Sequence, residues 1–126
     1  MKMKSVSGIT AYVKDLSKTI EFYEALGFDF KKREADNATA YLNWFWINFV
    51  AITEEQKPEF QAEANAEKKG SGIFINISVE DVDDFYSGVI AKGLKPSSEP
   101  RDWPWGSREF VLRDPDGYKL VFFTKN

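Results

Sequence analysis

Two tryptophans and two charged residues lie close together near the end of the chain, and their types favour recognition of a flat molecule. Trp103 and Trp105 occur in the proline-bounded sequence PRDWPWG, and Arg108 and Glu109 follow on a predicted strand. An indole can stack on a planar ligand, and a nearby charge can orient a charged substituent. We expect both tryptophans to contact a ligand or a subunit interface rather than to fill the core.

The side chains that most often catalyse reactions or hold metals are missing. The chain has no cysteine and no histidine. Disulfides, thiolate metal sites and cysteine nucleophiles are therefore excluded, together with the commonest transition-metal ligand and the usual general base. Chemistry at neutral pH must use Asp, Glu, Lys, Tyr or Arg, or be binding alone. Tyr12 and Glu109 are the candidates for a metal-independent acid or base.

Length and charge narrow the class of protein further. The 126 residues suffice for one domain with a real core, and the net charge is -3 with acidic and basic residues mixed along the chain. Nucleic acid would need a concentrated basic face. No run approaches the roughly 18 apolar residues of a membrane span, and the start MKMKSVSG lacks the apolar run of a secretion signal. We expect a cytoplasmic protein with neither nucleic acid nor membrane as partner.

The chain matches itself when it is shifted by 66 residues. The identical pairs are Ile9 with Ile75, Val13 with Val79, Asp15 with Asp81, Ala25 with Ala91 and Gly27 with Gly93. Chance would give about one identity over so short a stretch, so the chain contains a duplicated unit.

Each unit begins with a strand and a helix. Branched residues alternate with others in the first strand, and a helix follows that is capped by Asp15 or Asp81 and ended by Gly27 or Gly93. Three more strands are predicted in each half: FDFKKREA, TAYLNW and WINFVAI, then LKPSS, SREFVLR and YKLVFFT. The pattern is strand-helix-strand-strand-strand, twice.

The polar stretch between the halves is predicted to be a linker. It covers about residues 54–71, with room for one helical turn. Module 1 then spans about residues 5–53 and module 2 about residues 72–126, within a single domain of residues 1–126.

Two motifs inside this repeat carry a family resemblance. They are VKDLSKTIEFYEALGF at 13–28 and FVLRDPDGYKLVFF at 110–123. Together with the repeat, they resemble the vicinal-oxygen-chelate superfamily: glyoxalase I, bleomycin-resistance proteins, fosfomycin-resistance enzymes and extradiol dioxygenases. The segment WPWGSREF is most similar to the bleomycin-resistance branch. The resemblance covers nearly the whole chain.

The resemblance implies an α+β fold in which two tandem βαβββ modules form a curved, barrel-like mixed sheet around a cavity, with the helices outside. It also implies a homodimer, with modules paired within one chain or between two chains. Strand alternation then indicates which side chains face the cavity. The expected ligand-binding residues are Thr10, Tyr12, Trp46, Asn48, Phe74, Asn76, Trp103, Trp105, Arg108, Val121 and Phe123. Arg108, rather than Glu109, is expected to face inward, and Trp46 is equally interpretable as core filler.

The resemblance also locates the positions where metal-using members hold their ion. These positions carry Gly8, Phe74 and Val121, with Asn48 as the fourth in a less definite register. Glycine, phenylalanine and valine offer no donor, whereas a stable site needs three or more protein ligands. We therefore expect no metal, no cofactor and no catalytic residue at these positions, and we favour a protein that is not an enzyme.

Three functions remain open. The first is metal-independent binding or sequestration of a planar aromatic or antibiotic-like compound, which the resemblance to the metal-free branch implies. The second is a glyoxalase-like lyase or another enzyme that uses non-histidine residues such as Tyr12 or Glu109. The third is a structural or regulatory module whose cavity is filled by its own aromatic side chains.

Overall fold

The computed structural model describes residues 1–53 and 58–126, which form two compact units, Met1–Glu67 (unit 1) and Lys68–Asn126 (unit 2). The elements in chain order are β1 (Gly8–Val13), α1 (Leu16–Ala25), β2 (Asp29–Arg33), β3 (Asn37–Leu42), β4 (Phe45–Ala51), α2 (Pro58–Ala64), β5 (Ile75–Ser78), α3 (Val82–Ala91), β6 (Arg101–Trp103), β7 (Ser107–Arg113) and β8 (Lys119–Lys125). Each unit therefore contains one βαβββ module, and the predicted α+β class with tandem modules is confirmed.

The sheet of unit 1 has the order β1-β4-β3-β2. β1 runs parallel to β4, with Gly8 opposite Trp46, and β3 is antiparallel to its neighbours. α1 packs on one face of this sheet through Tyr23, which is fully buried and whose ring centroid lies 4.6 Å from that of Phe49 and 5.2 Å from that of Phe28. The core of unit 1 is thus an aromatic cluster between helix and sheet.

Unit 2 repeats this arrangement with the order β5-β8-β7-β6. β5 is parallel to β8, and β7 pairs antiparallel with β6 and β8. α3 contributes Phe85, whose ring lies tilted against Phe122 at 4.6 Å, and Tyr86, which meets Phe110 edge-on at 5.2 Å. Phe110 on β7 and Phe122 on β8 are both buried.

Both main helices begin at the predicted aspartates. The Asp15 carboxylate accepts from the backbone N–H of Lys18 at 3.1 Å, and the Asp81 carboxylate accepts from the backbone N–H groups of Asp83 and Asp84 at 3.1 Å. These bonds satisfy donors that the first turn of a helix leaves unpaired. The same capping chemistry in both units is what the repeat predicts.

The predicted strand LKPSS at residues 94–98 is wrong, and β6 begins only at Arg101. The Ser97 N–H does donate to the Val111 carbonyl at 2.8 Å, but the Val111 N–H donates to the Ser98 hydroxyl instead of a backbone carbonyl. Pro96 has no N–H to offer. A single backbone hydrogen bond, flanked by a proline and by a side-chain acceptor, does not continue into strand pairing between this segment and β7.

The predicted linker contains more helix than expected. α2 has seven residues, which is about two turns rather than one. Residues 54–57 of the linker lie outside the described residues, and the module bounds of about 5–53 and 72–126 stay predictions. No helix in the described part of the chain has the length and apolar character needed to cross a membrane.

Candidate functional site

Each sheet has a face opposite its main helix, and most of the expected ligand-binding residues lie on these two faces. We call each of them the distal face of its unit. In unit 1, strand pairing puts Thr10 beside Asn48 and Tyr12 beside Val50, in the row that alternates with the buried core residues. In unit 2, the same pairing puts Asn76 beside Val121.

The amide of Asn48 is used within the sheet of unit 1. Its Nδ2 donates to Thr39 Oγ1 at 2.9 Å and to Asn37 Oδ1 at 3.1 Å. Both partners belong to β3, so these bonds tie the side chain to the neighbouring strand. The role of Asn48 in this geometry is to connect β3 and β4.

Gly8 has no room for a side chain because the indole of Trp46 lies against it. A Cβ atom placed on Gly8 would overlap the Trp46 ring and the Trp46 carbonyl oxygen. Gly8 and Trp46 are direct neighbours across the parallel β1–β4 pair. A metal-ligating side chain therefore does not fit at Gly8 while Trp46 holds this position.

The corresponding positions of unit 2 are also unsuited to a metal. Phe74 lies before β5 and is 56% exposed, with the Lys119 ammonium 4.9 Å from its ring centroid. Val121 is 5% exposed and occupies the register position that Asn48 has in unit 1. Residues 1–53 and 58–126 contain no group of three His, Cys, Asp or Glu side chains placed to hold an ion. The residues at the four positions do not fit the family's metal.

Trp103 and Trp105 stack on each other in unit 2. Their ring centroids are 4.6 Å apart with 11° between the planes, and the Arg101 guanidinium lies 3.7 Å from the Trp103 centroid. Two groups this close cannot share one face of an indole, so Trp103 is sandwiched between Arg101 and Trp105. Trp103 also belongs to β6, not to an irregular segment as expected. Trp105 is 63% exposed and presents the outer face of this stack.

Two further contacts fix the orientation of Trp105. Its indole Nε1–H donates to Glu109 Oε2 at 3.1 Å, and the hydroxyl of the buried Ser107 donates to the same oxygen. Gly106 adopts φ +90°, a left-handed conformation that glycine reaches without strain, and so lets the chain turn sharply between β6 and β7. The outer face of Trp105 is thus held in place by the stack on one side and by a carboxylate at its edge.

Arg108 faces the opposite way from the prediction. It lies on the α3 side of the sheet, where its Nε and Nη2 donate to the Asp83 carboxylate at 3.0 and 3.1 Å, and its Nη1 lies 3.4 Å from Asp102 Oδ2. The hydrogen bond to Asp83 raises the pKa of Arg108 above its ordinary value. Glu109 is therefore the residue on the distal face. The apolar Phe110 and Leu112, two and four residues after Arg108, were the sequence signal for this orientation.

A pocket of about 360 Å³ lies on the distal face of unit 2. Its lining consists of Asn76, Trp105, Ser107, Glu109, Phe123 and Lys125, with the backbone of Gly106. It brings together three of the expected residues, Asn76, Trp105 and Phe123. The expected residues Thr10, Tyr12, Trp46 and Asn48 lie in unit 1, whereas Phe74, Trp103, Arg108 and Val121 lie in unit 2 outside this lining.

Sequence reasoning missed two polar lining residues, Ser107 and Lys125, and expected Arg108 rather than a third, Glu109, to face inward. The signal for them was the β7–β8 register, which places Ser107 opposite Lys125 and Glu109 opposite Phe123. Once Phe123 is assigned to the distal face, alternation places the other three on the same face. The register itself depends on the hairpin turn, which fixes which residues are opposite one another.

Comparison with known proteins agrees with the fold and with these motifs. The family model of the Glyoxalase/Bleomycin resistance protein/Dioxygenase superfamily matches residues 5–122. The chain belongs to this superfamily. Its relatives include the uncharacterized protein YraH of Bacillus subtilis, 29% identical over 113 residues that cover 86% of this chain and 88% of YraH. A bleomycin resistance protein of Staphylococcus aureus is 28% identical over 123 residues, with 90% and 91% covered.

Solved structures of the superfamily have the same fold. A glyoxalase/bleomycin resistance protein/dioxygenase from Nocardioides superposes with a TM-score of 0.83 at 19% identity, covering 99% of this chain and 85% of that one. A bleomycin-binding protein solved in complex with bleomycin superposes with a TM-score of 0.68 at 22% identity, covering 98% and 100%.

Proposed function

We propose that this superfamily member binds a planar aromatic small molecule, without a metal ion, on the distal face of unit 2. The observation that carries the proposal is the Trp105 indole, which is exposed to a pocket yet held by stacking on Trp103 and by its hydrogen bond to Glu109. A ligand surface that is already ordered loses little conformational entropy when it binds. The pocket combines aromatic walls, Trp105 and Phe123, with a few polar groups, which is typical of small-molecule sites.

Metal independence is supported by the residues at the family's metal positions. Gly8 is covered by Trp46, whereas Phe74 and Val121 have no donor atom in their side chains. Binding on the outer face of Trp105 involves none of these positions. The proposed ligand contacts are therefore aromatic stacking and hydrogen bonding.

The named relatives suggest which ligands to try first. One is called a bleomycin resistance protein and another was solved in complex with bleomycin. We infer that this chain sequesters a bleomycin-like or other planar antibiotic. Sequestration requires no catalytic group, since a bound molecule is withheld from its target without being changed.

Replacing Trp105 by alanine should weaken binding of such a ligand about tenfold. Stacking on an indole contributes about 0.5–1.5 kcal/mol beyond the buried area, and 1.4 kcal/mol corresponds to a factor of ten in Kd. The measurement is a fluorescence titration of chelator-treated protein with bleomycin and a panel of planar aromatic compounds. Adding zinc or manganese should leave the Kd unchanged.

The matched control is Trp44→Ala. Trp44 is 67% exposed, much like Trp105, but lies at the β3–β4 turn of unit 1. The Trp44→Ala substitution should change the Kd for the same ligand by less than twofold. The proposal is wrong if no planar compound alters the fluorescence, if both variants lose affinity equally, or if binding appears only when metal is added.

A further inference from the structure

The lining of the pocket in unit 2 contains one negative charge held by two hydrogen bonds and one exposed positive charge. Glu109 Oε2 accepts from Trp105 and Ser107, whereas Oε1 has no hydrogen-bond donor among the described residues. Lys125 is the last residue of β8, is exposed, and forms no ion pair within the described part of the chain. A carboxylate oxygen in a defined place is therefore available to a ligand that stacks on Trp105.

The aromatic stack already holds one planar cation. The Arg101 guanidinium covers one face of Trp103, and Trp105 covers the other. The face of an indole is electron-rich and attracts cations, so the outer face of Trp105 can accept a second one. Arg101 is also the cross-strand neighbour of Glu109. Its guanidinium covers Trp103 and does not belong to the pocket lining, and salt screens its repulsion of a second cation.

Geometry decides between a cationic and an anionic ligand. An anion on Trp105 would meet the electron-rich ring face and the Glu109 carboxylate, with Lys125 as its attractive partner. Lys125 has a long exposed side chain, which must lose rotamer freedom to form an ion pair that water screens. Glu109 is already oriented by two donors. Both the ring and the fixed charge favour a cation.

We propose that the ligand is a planar cation, such as a protonated amino-substituted heteroaromatic ring. It stacks on the outer face of Trp105 and donates an N–H to Glu109 Oε1. Hydrogen bonds between charged partners are stronger than neutral ones and give directional selectivity. This assignment rests on the proposed function, since it names the ligand class of the same pocket.

Three probes of the same three-ring size test the charge preference: 9-aminoacridinium, neutral acridone and acridine-9-carboxylate. Wild-type protein should bind 9-aminoacridinium at least tenfold more tightly than acridone, and the carboxylate most weakly. Glu109→Gln keeps an oxygen that can accept from Trp105 and Ser107 but removes the charge, and it should reduce the preference for the cation about tenfold. Lys125→Gln should raise affinity for the cation up to threefold.

Glu99→Gln is the control for overall charge, because Glu99 is exposed in unit 2 and lies outside the pocket lining. It should leave all three affinities unchanged. Higher salt should weaken binding of 9-aminoacridinium to the wild type, a measurement that does not depend on any variant folding correctly.

The outcomes separate this inference from the proposed function. If acridone binds as tightly as 9-aminoacridinium and Trp105→Ala weakens both, the planar-ligand function stands and the cation preference is wrong. Tightest binding by acridine-9-carboxylate, lost in Lys125→Gln, also overturns the preference. If none of the three probes binds but another planar compound of the panel does, the cation preference fails and the planar-ligand function stands; if no planar compound binds, both proposals fail.

Discussion

Replacing Phe110 by alanine is expected to lower the free energy of unfolding by about 3–5 kcal/mol, the range for removing a buried aromatic ring. Phe110 is 0% exposed and lies at the centre of unit 2, with the rings of Phe122 and Tyr86 each 5.2 Å away. The cavity left behind would separate α3 from β7 and β8. Urea unfolding followed by far-UV circular dichroism measures the loss.

Val111→Ala is the control, because Val111 is adjacent in β7 but faces the other side of the sheet and is partly exposed. It should cost less than about 1.5 kcal/mol, since fewer buried methyl contacts are removed. If the two variants lost equal stability, the division of β7 into a core side and a distal side would be wrong.

Gly8→Ala is the second substitution with a large expected effect. A single added methyl group would overlap both the Trp46 indole and its carbonyl oxygen, so β1 or β4 must shift. Overpacking of this kind costs about 1–3 kcal/mol, and the backbone overlap places Gly8 at the upper end. The expected result is a loss of about 3 kcal/mol in urea unfolding, together with a changed near-UV circular dichroism spectrum.

Gly88→Ala is the matched control for this substitution. Gly88 lies inside α3 with open space around its Cα and a φ that any residue adopts, so alanine there should stabilise the chain by up to about 1 kcal/mol. Combining Gly8→Ala with Trp46→Ala should restore part of the stability, because the indole overlap disappears while the carbonyl overlap remains. A neutral Gly8→Ala variant would show that Trp46 does not lie on Gly8.

The repeat and the local signals predicted most of the fold. Asp15 and Asp81 begin helices at equivalent positions because capping depends only on a few adjacent residues. The burial of Phe49 and Phe122 also follows a local rule, because side chains on a strand alternate between its two faces. Features that depend on residues adjacent in the sequence could therefore be predicted from the sequence.

Features that depend on contacts between distant segments could not be predicted from the sequence. Alternation with Phe110 and Leu112 could have placed Arg108 on the helix side, but its partner Asp83, 25 residues away on α3, had no local signal. The segment LKPSS has strand-like spacing, yet its second contact with β7 goes through the Ser98 hydroxyl. A side chain that accepts a hydrogen bond in place of a backbone carbonyl leaves no periodic pattern in the sequence.

The stacking of Trp103 on Trp105 likewise could not be predicted from the sequence. The two tryptophans are two residues apart and both lie in the turn over residues 103–106, where the Gly106 N–H donates to the Trp103 carbonyl at 3.2 Å. The stacking contact reduces two expected stacking surfaces to one. Glu109 belongs to the candidate site instead of Arg108 because β7 turns it to the distal face, where it accepts from the edge of Trp105.

The structure gives a physical reason why the family's metal positions cannot hold an ion in this chain. Absent histidines show only that a donor is missing, whereas the Trp46 ring on Gly8 shows that the space itself is filled. In unit 2, Phe74 and Lys119 occupy the positions equivalent to Gly8 and Trp46, and their side chains contact each other. A single substitution to histidine would therefore restore a donor without restoring a site.

The most direct test of the central claim is an NMR titration of the four tryptophan indole N–H signals in isotope-labelled protein, with each signal assigned by a single Trp→Phe variant. On addition of a planar ligand that binds, stacking should shift the Trp105 signal by ring-current effects, in proportion to occupancy, while the Trp44 signal stays fixed. A saturable shift at Trp46 with none at Trp105 would contradict the account, because it would place the ligand in unit 1.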